Sequence, residues 1–362
     1  MRRITTTGLL ATVLTVVASG RASAHVDYVT DEGATGSPVE LLRTVLTSPE
    51  SLLLLTVGGV GLVVLVAGYV GFASTIPDIA VARATLQSYR PYLPWMLRLS
   101  VGLPLVGAGF AGYLFAPTVP VDARLVQVGV GFLLLFGLAT RLVAGLGLLA
   151  YVWALATTGT PMLLASEYVA GFLGIVLVGP GQPSADMLLR RLVVTDGTIA
   201  SRFRGVITPE EVLERFGLGA AAAPVLIRVF LGLNFLYLGV SQKLLEPQQA
   251  LAVVTKYDLS SVVPVAPELW VVGAGLTEAL VGVALIAGAF TRGTAAVGFL
   301  ILTTTLFGLP DDPVLAHVTL FGLTSALMVT GAGRYSLDRG VLPALRERFD
   351  PGAKATGSAA SD

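Results

Sequence analysis

The chain has 362 residues, 54% of them hydrophobic and 13% charged, with a mean hydropathy of +0.81, which excludes most soluble folds. Lys plus Arg and Asp plus Glu balance at 23 each with no long run of either sign, so nothing marks a nucleic-acid surface. With no cysteine, disulfides, thiolate catalysis and Cys-ligated zinc or iron–sulfur centres are excluded, and two histidines, His25 and His317, are too few for a multi-His metal centre.

Residues 1–24 read as an export signal. Arg2 and Arg3 give the positive start, Leu9 to Ala18 an apolar stretch too short to span, and Ala22-Ser23-Ala24 an A-x-A cleavage site. Cleavage leaves His25 at an exported N-terminus. Its amine and imidazole suit Cu(II), but no second exported His is near in sequence and no metal site is expected. Residues 25–50 are expected to form a polar external arm. Residues 51–94 hold a leading transmembrane helix, from Leu52 to Phe72, and a polar cytoplasmic connection. That helix is long enough for a bilayer core of ~30 Å. Its Gly58, Gly59, Gly61 and Gly68 predict close helix contact.

Two later stretches match each other. MLRLSVGLPLVGAG (96–109) parallels LIRVFLGLNFLYLG (226–239), pairing Arg98 with Arg228 and Gly102 with Gly232. GLATR (137–141) parallels GAFTR (288–292), and GPGQPSAD (179–186) parallels GAGRYSLD (331–338). Repeat A (95–190) and repeat B (224–340) each hold four apolar segments: near 95–115, 124–140, 142–159 and 163–179 in A, and 224–244, 268–290, 293–309 and 314–331 in B. The expectation is an all-α polytopic membrane protein of nine spans, one leading helix plus two four-helix repeats. GAGFAG (107–112) satisfies G-x-G-x-x-G, but it lies inside a span with no preceding strand, so helix packing explains it better than a dinucleotide.

Between the repeats, 191–223 reads as a cytoplasmic linker. Asp196-Gly197 predicts a small hairpin, and Thr208-Pro209-Glu210-Glu211 a short helix through Phe216. Residues 341–362 read as a cytoplasmic tail, disordered after Asp350. With the mature N-terminus outside, sixteen Lys and Arg after residue 24 fall inside and four, Arg43, Arg124, Lys243 and Lys256, fall outside. Both repeats then start inside and are parallel, related by an axis along the membrane normal.

Repeat B resembles a DoxX-type membrane domain. The resemblance is carried by Arg228 with Gly232, Gly239 with Lys243, Glu278, the run from Gly288 to Arg292, and GAGRYSLD (331–338). It covers 224–340 well and 96–190 as a diverged copy. It implies a four-helix membrane fold. Some members are similar to DoxD and DoxA subunits of a thiosulfate:quinone oxidoreductase, and others associate with redox or detoxifying enzymes. The functional expectation is therefore a quinone-associated subunit of a membrane oxidoreductase, taking electrons from a redox partner or a small reductant. The alternative is a non-enzymatic membrane module, either a small-solute transporter or a scaffold for an exported redox protein.

Three residues are the candidate site: Glu278, Lys243 and His317. Glu278 sits mid-span, where a carboxylate costs about 2.5–3.5 kcal/mol and persists when paired or used. Lys243 and His317 lie toward the same, outer, half. Repeat A places Tyr113, Gln127 and Ala165 opposite Lys243, Glu278 and His317, which makes A a scaffold and B the holder of any active centre. Because helix-end lysines turn toward water, Glu278 is expected to stand apart from Lys243 as a neutral acid able to serve a quinone; the alternative is a structural contact gluing helices, with Lys243 or Asn234 as its partner. Arg292, Ser336 and Asp338 recur in A as Arg141, Ser184 and Asp186, and together with Arg334 they read as helix-end capping and headgroup anchoring. A reporter fused after Asp362 should be active only in the cytoplasm. Its activity outside the cell would reverse the orientation.

Overall fold

The computed structural model describes residues 37–72, 75–122, 124–203, 209–216 and 218–349. The expected export signal, His25 and the tail after Asp350 lie outside these residues. Apolar helices dominate, as a bilayer requires of backbone that must satisfy its own hydrogen bonds. In order they are α1 (Pro38–Thr47), α2 (Pro49–Phe72), α3 (Pro77–Ser88), α4 (Leu93–Ala111), α5 (Arg124–Phe136), α6 (Thr140–Thr158), α7 (Glu167–Val178), α8 (Ala185–Val194), α9 (Pro209–Arg215) and α10 (Ala223–Gly239). After α10 come a π-helical turn (Val240–Leu245), α11 (Pro247–Lys256), α12 (Leu259–Val262), α13 (Pro267–Ala287), α14 (Thr291–Gly308), α15 (Val314–Thr330) and α16 (Leu337–Phe349). A two-stranded hairpin, Tyr113–Leu114 with Ala116–Pro120, joins α4 to α5.

Helices α4 to α7 form unit A, and α10 with α13 to α15 form unit B. The first two helices of each unit cross backbone to backbone at glycines. A Cβ on Gly102 would lie 3.0 Å from the Gly131 carbonyl oxygen, and one on Gly232 2.7 Å from that of Gly282. A second crossing in B pairs Gly239 with Gly275, where a Cβ on Gly239 would come within 2.5 Å of the Gly275 oxygen. Small residues permit such approach, and dispersion between the helices holds it.

The units join reciprocally, α15 of B on α4 of A and α7 of A on α10 of B. Arg90, just before α4, donates to the carbonyl of Thr330 at the end of α15 (3.2 Å), while Thr319 Oγ1 donates to Ser100 O in mid-α4 (2.9 Å), so these helices are antiparallel. On the other side, Ile227 at the start of α10 meets Gly174 near the end of α7, and Asn234 reaches back to Leu164. Both units therefore begin at the same side of the bundle and run the same way.

The ends at that side are tied by buried arginines. Arg98 donates to the carbonyls of Pro180 (2.6 Å), Pro183 (2.9 Å) and Leu135 (3.2 Å). Arg228 donates to those of Ala332 (3.0 Å), Leu285 (3.1 Å), Ile286 and Tyr335 (2.5 Å). Each guanidinium thus collects orphan carbonyls from the end of its unit's second helix and from the loop after the fourth. Asp186 and Asp338 complete the clasp. Their carboxylates accept from Ala139 N and Thr140 N (2.6 and 2.8 Å) and from Phe290 N and Thr291 N (2.6 and 2.9 Å), capping α6 and α14.

Several expectations change. The arm at 25–50 contains a helix: α1 opens on a Ser37 cap and buries Leu41 and Val45 against α11 and α13. The connection before α4 holds α3, which packs on α15. No hairpin forms at Asp196-Gly197, because Val193 and Val194 finish α8 and a 3₁₀ turn, Ile199–Phe203, follows. Among the described residues five helical stretches are long and apolar enough to cross a membrane, and three apolar helices are shorter. Two of the short ones are in unit A. The second ends at Phe136 before left-handed Gly137, and the fourth opens with a 3₁₀ turn, Thr160–Ala165, before Glu167. At Gly58, Gly59, Gly61 and Gly68 of α2 an added Cβ would meet no heavy atom within 4 Å, so these glycines make no close contact within this chain.

The glycine crossings set a stability prediction. A Cβ at Gly282 would lie 2.6 Å from Gly232 O and 2.7 Å from Leu236 N, whereas one at Gly293 meets nothing within 4 Å. Gly282→Ala should destabilise the protein in detergent by about 1–3 kcal/mol, as overpacking does. Gly293→Ala should leave it nearly unchanged. Equal thermal shifts for the two would mean that the α10–α13 crossing does not hold unit B together.

Candidate functional site

Unit B encloses a cavity of about 500 Å³ walled by α10, α11, α13, α14 and α15. Its lining is largely apolar, including Val254, Leu269, Leu302 and Leu320, with a few polar groups converging: Lys243, Glu278, His317, Asp312, Gln242 and Trp270. All three residues singled out from the sequence therefore line one space. An apolar hollow with few convergent polar groups is the usual form of a small-molecule site.

Local structure explains the placement. Glu278 lies midway along the 21-residue α13. The Gly239–Gly275 crossing draws the end of α10 against α13, and the π turn that follows widens the helix just where Lys243 emerges. Lys243 Nζ consequently sits 2.6 Å from Glu278 Oε2. The expectation of a lysine turned to water and a solitary neutral acid is corrected to an ion pair on the cavity wall. In this apolar lining each charge is the other's best substitute for water, and the contact is a charge-assisted hydrogen bond.

His317 stands on the first turn of α15 and is 3% exposed. Its Nε2 lies 3.3 Å from Asp312 Oδ2 and its Nδ1 3.3 Å from the carbonyl oxygen of Pro313. The cavity thus has two charged or polar pairs, Lys243–Glu278 and His317–Asp312. The indole Nε1 of Trp270 is buried with no hydrogen-bond partner. A buried donor left unpaired costs about 1–3 kcal/mol, so an acceptor entering the cavity gains a group already stripped of water.

The corresponding space in unit A is filled. Counting back from the shared loop motifs, Gln127 stands where B has Glu278, Tyr151 where B has Leu302, and Tyr168 where B has Leu320. Gln127 Nε2 donates to the carbonyls of Tyr113 (3.1 Å) and Leu105 (3.4 Å). Phe115, from the hairpin, packs edge-on against Tyr151, Tyr168 and Phe172 at centroid distances of 5.4, 5.0 and 6.2 Å. Tyr151 donates to Met162 O at 2.7 Å.

One side of the B cavity is closed by α11 and α12, through Ala250, Val253, Val254 and Leu259. Outside, α1 braces this cover through Leu41 and Val45. Its edge is latched by Asp311, whose Oδ2 is 3.0 Å from Lys256 Nζ and accepts from Tyr257 Oη at 2.9 Å. Hydrogen bonds from Lys256, then from Tyr257, then the ammonium's charge hold the Asp311 carboxyl below its ordinary value.

The sequence does not single out Trp270, Gln242 or the 247–262 cover, whose roles depend on the third dimension. It also passes over Glu167, a buried carboxyl at the start of α7. Asn234 Nδ2 meets Glu167 Oε2 at 3.3 Å, Ser166 Oγ at 3.0 Å and Leu164 O at 3.3 Å, tying unit B to unit A. A lone carboxylate in an apolar run was the available signal. Asn234, one candidate partner for Glu278, is engaged here instead.

The DoxX family model matches residues 223–311, the stretch that supplies Lys243, Glu278, Trp270 and the cover. No curated protein and no solved structure matches the chain.

The latch has a definite pH sign. Asp311 is depressed in the folded protein, so its contribution is present above the unfolded carboxyl value and is lost as pH falls through the lowered one. Hydrogen exchange over 247–262 should be faster in Asp311→Asn than in wild type at neutral pH. The difference should vanish below the ordinary carboxylate range. Identical exchange at neutral pH would show that the pair does not hold the cover.

Proposed function

Residues 223–311 are a DoxX domain of a multi-pass membrane protein, and from that premise we propose that the chain is a quinone-associated subunit of a membrane oxidoreductase. The observation that carries this reading is the cavity itself: an apolar chamber in a membrane-spanning bundle with a few polar groups on its wall. Its fit to a quinone rests on three features. The walls are apolar, the Trp270 N–H is unpaired, and the Lys243 ammonium reaches the lining. A quinone supplies two-electron acceptor chemistry and takes up two protons on its oxygens when reduced.

The chain's own residues bind, orient and move protons. Lys243 and Trp270 offer N–H groups to carbonyl oxygens. Glu278 holds the Lys243 ammonium at a fixed point of the wall, where it would otherwise turn to water. His317 lines the cavity with both ring nitrogens engaged, Nε2 by Asp312 and Nδ1 by the Pro313 carbonyl, so it would pass a proton only as one of these contacts opens. The cover formed by α11 and α12 excludes water, which strengthens each of these contacts. Electrons arrive from a redox partner or a small reductant. With the orientation of the positive-inside count, the cavity lies in the outer half of a cell membrane and the C-terminus is cytoplasmic.

Quinone should co-purify with the protein, detected in the lipid extract and by absorbance. Glu278→Gln and Lys243→Met should each lower its retention by about ten-fold, the scale of one lost charge-assisted contact, with membrane insertion unchanged. Gln127→Ala should do much less. Equal loss from the Glu278 and Gln127 variants at equal expression would assign both positions a packing role. Absence of any co-purifying quinone would favour the non-enzymatic module, a small-solute transporter or a scaffold for an exported redox protein.

A further inference from the structure

Away from the cavity, at the end of the bundle where both units begin, three arginines gather around one helix terminus. Arg292 donates through Nε to the carbonyl of Met328 (2.8 Å) and through Nη2 to that of Val329 (3.2 Å). Arg90 donates through Nη2 to the next carbonyl, that of Thr330 (3.2 Å). Two guanidiniums therefore occupy successive carbonyls at the end of α15. Arg83, on α3, is close enough for its charge to act on Arg292, as is that of Arg90.

Carbonyl dipoles offset part of this charge, and among the described residues no acid forms an ion pair with it. Among the described residues none of the three arginines has a carboxylate oxygen within 4.0 Å. The acid whose charge acts on Arg292 is Asp338, and both its oxygens are engaged by the amides of Phe290 and Thr291. A guanidinium has five N–H donors, of which Arg292 uses two here and Arg90 one. The cluster has the charge and the donors for a phosphate, which arginine binds in bidentate fashion.

What lies beside the cluster points to the source of that phosphate. Helix α2 touches the rest of the chain chiefly at its two ends, through α1 and α16. Along its middle Leu62, Val63 and Leu65 are exposed, and the glycine positions face open space. At its far end α2 returns to the bundle, where Tyr69 packs edge-on against Phe290 at 5.2 Å, two residues from Arg292. An uncovered apolar helix thus runs to the guanidiniums, with an aromatic ring at the level where headgroups sit.

We propose that Arg83, Arg90 and Arg292 bind the phosphate of an acidic phospholipid whose acyl chains lie along α2. Basic pockets between transmembrane helices on the cytoplasmic side suit such headgroups. The lipid would fill the space between the leading helix and unit B and fix α2 to the bundle without protein–protein packing.

Lipid retained by the purified full-length protein is measured by native mass spectrometry after exchange through vesicles of phosphatidylglycerol or phosphatidylcholine. Phosphatidylglycerol should be retained on the order of ten-fold more than phosphatidylcholine. The pair Arg83→Gln/Arg90→Gln should remove most of that preference, and Arg83→Lys/Arg90→Lys should restore much of it. Arg292 is left in place because it also caps α15. Soluble glycerol phosphate at millimolar concentration should not displace the lipid. Equal retention of the two lipids, an unchanged preference in the glutamine pair, or full displacement by glycerol phosphate would each overturn the proposal, the last by showing a headgroup-only anion site.

Discussion

Everything in this protein hangs on two buried guanidiniums. Arg98 and Arg228 are each 2% exposed and lie at the start of the first helix of their unit. Each gathers carbonyls that a helix end and a turn leave without partners, in surroundings where no water replaces them. A guanidinium is suited to this because its planar fork carries several donors and keeps its charge. The turns it holds carry left-handed residues, Gly137 with Ala139 in A and Gly288 with Phe290 in B. A Cβ at Gly288 would lie 2.9 Å from Arg228 Nη1, so glycine there is a requirement of the clasp as well as of the turn.

From one frame the two units diverge at the opposite end. In A, a short hairpin crosses the bundle and Phe115 drops among Tyr151, Tyr168 and Phe172. In B, leucines stand in place of both tyrosines, and a longer excursion, α11 and α12, passes over the top. Smaller side chains below and a cover above leave a chamber. The rigid clasp end and the variable chamber end are separated along the same helices, which lets one change without disturbing the other. The junction between units is asymmetric as well: Glu167 and Asn234 meet on one side, Thr319 and Ser100 on the other.

The chamber's chemistry follows from pairing. A carboxylate alone in mid-membrane is costly, and so is an ammonium, yet Lys243 and Glu278 brought to 2.6 Å largely answer each other's need. What remains free is direction: the pair fixes where a cation faces the cavity. Asp312 likewise fixes the imidazole of His317 on the cavity wall. A site so built suits an acceptor-bearing, mostly apolar molecule, the class of ligand we propose for it.

The sequence by itself determined the class of protein and most of its helices. Long apolar runs admit no other structure in a bilayer, and the recurring Arg, Gly and Asp at segment ends mark turns whose polar backbone needs partners. It also named Glu278, Lys243 and His317, since charge inside an apolar run is conspicuous. Only tertiary structure decided which charges meet. The Lys243–Glu278 pair depends on a π turn and a glycine crossing between α10 and α13, and neither is written in hydropathy. The roles of Trp270, Tyr151 and Tyr168 likewise come from the fold, which buries the indole nitrogen in the cavity wall and packs the tyrosines around Phe115 where B has leucines. Hydropathy reports how much a segment avoids water, whereas a site is made by which side chains share the space left between segments, and that is fixed by packing.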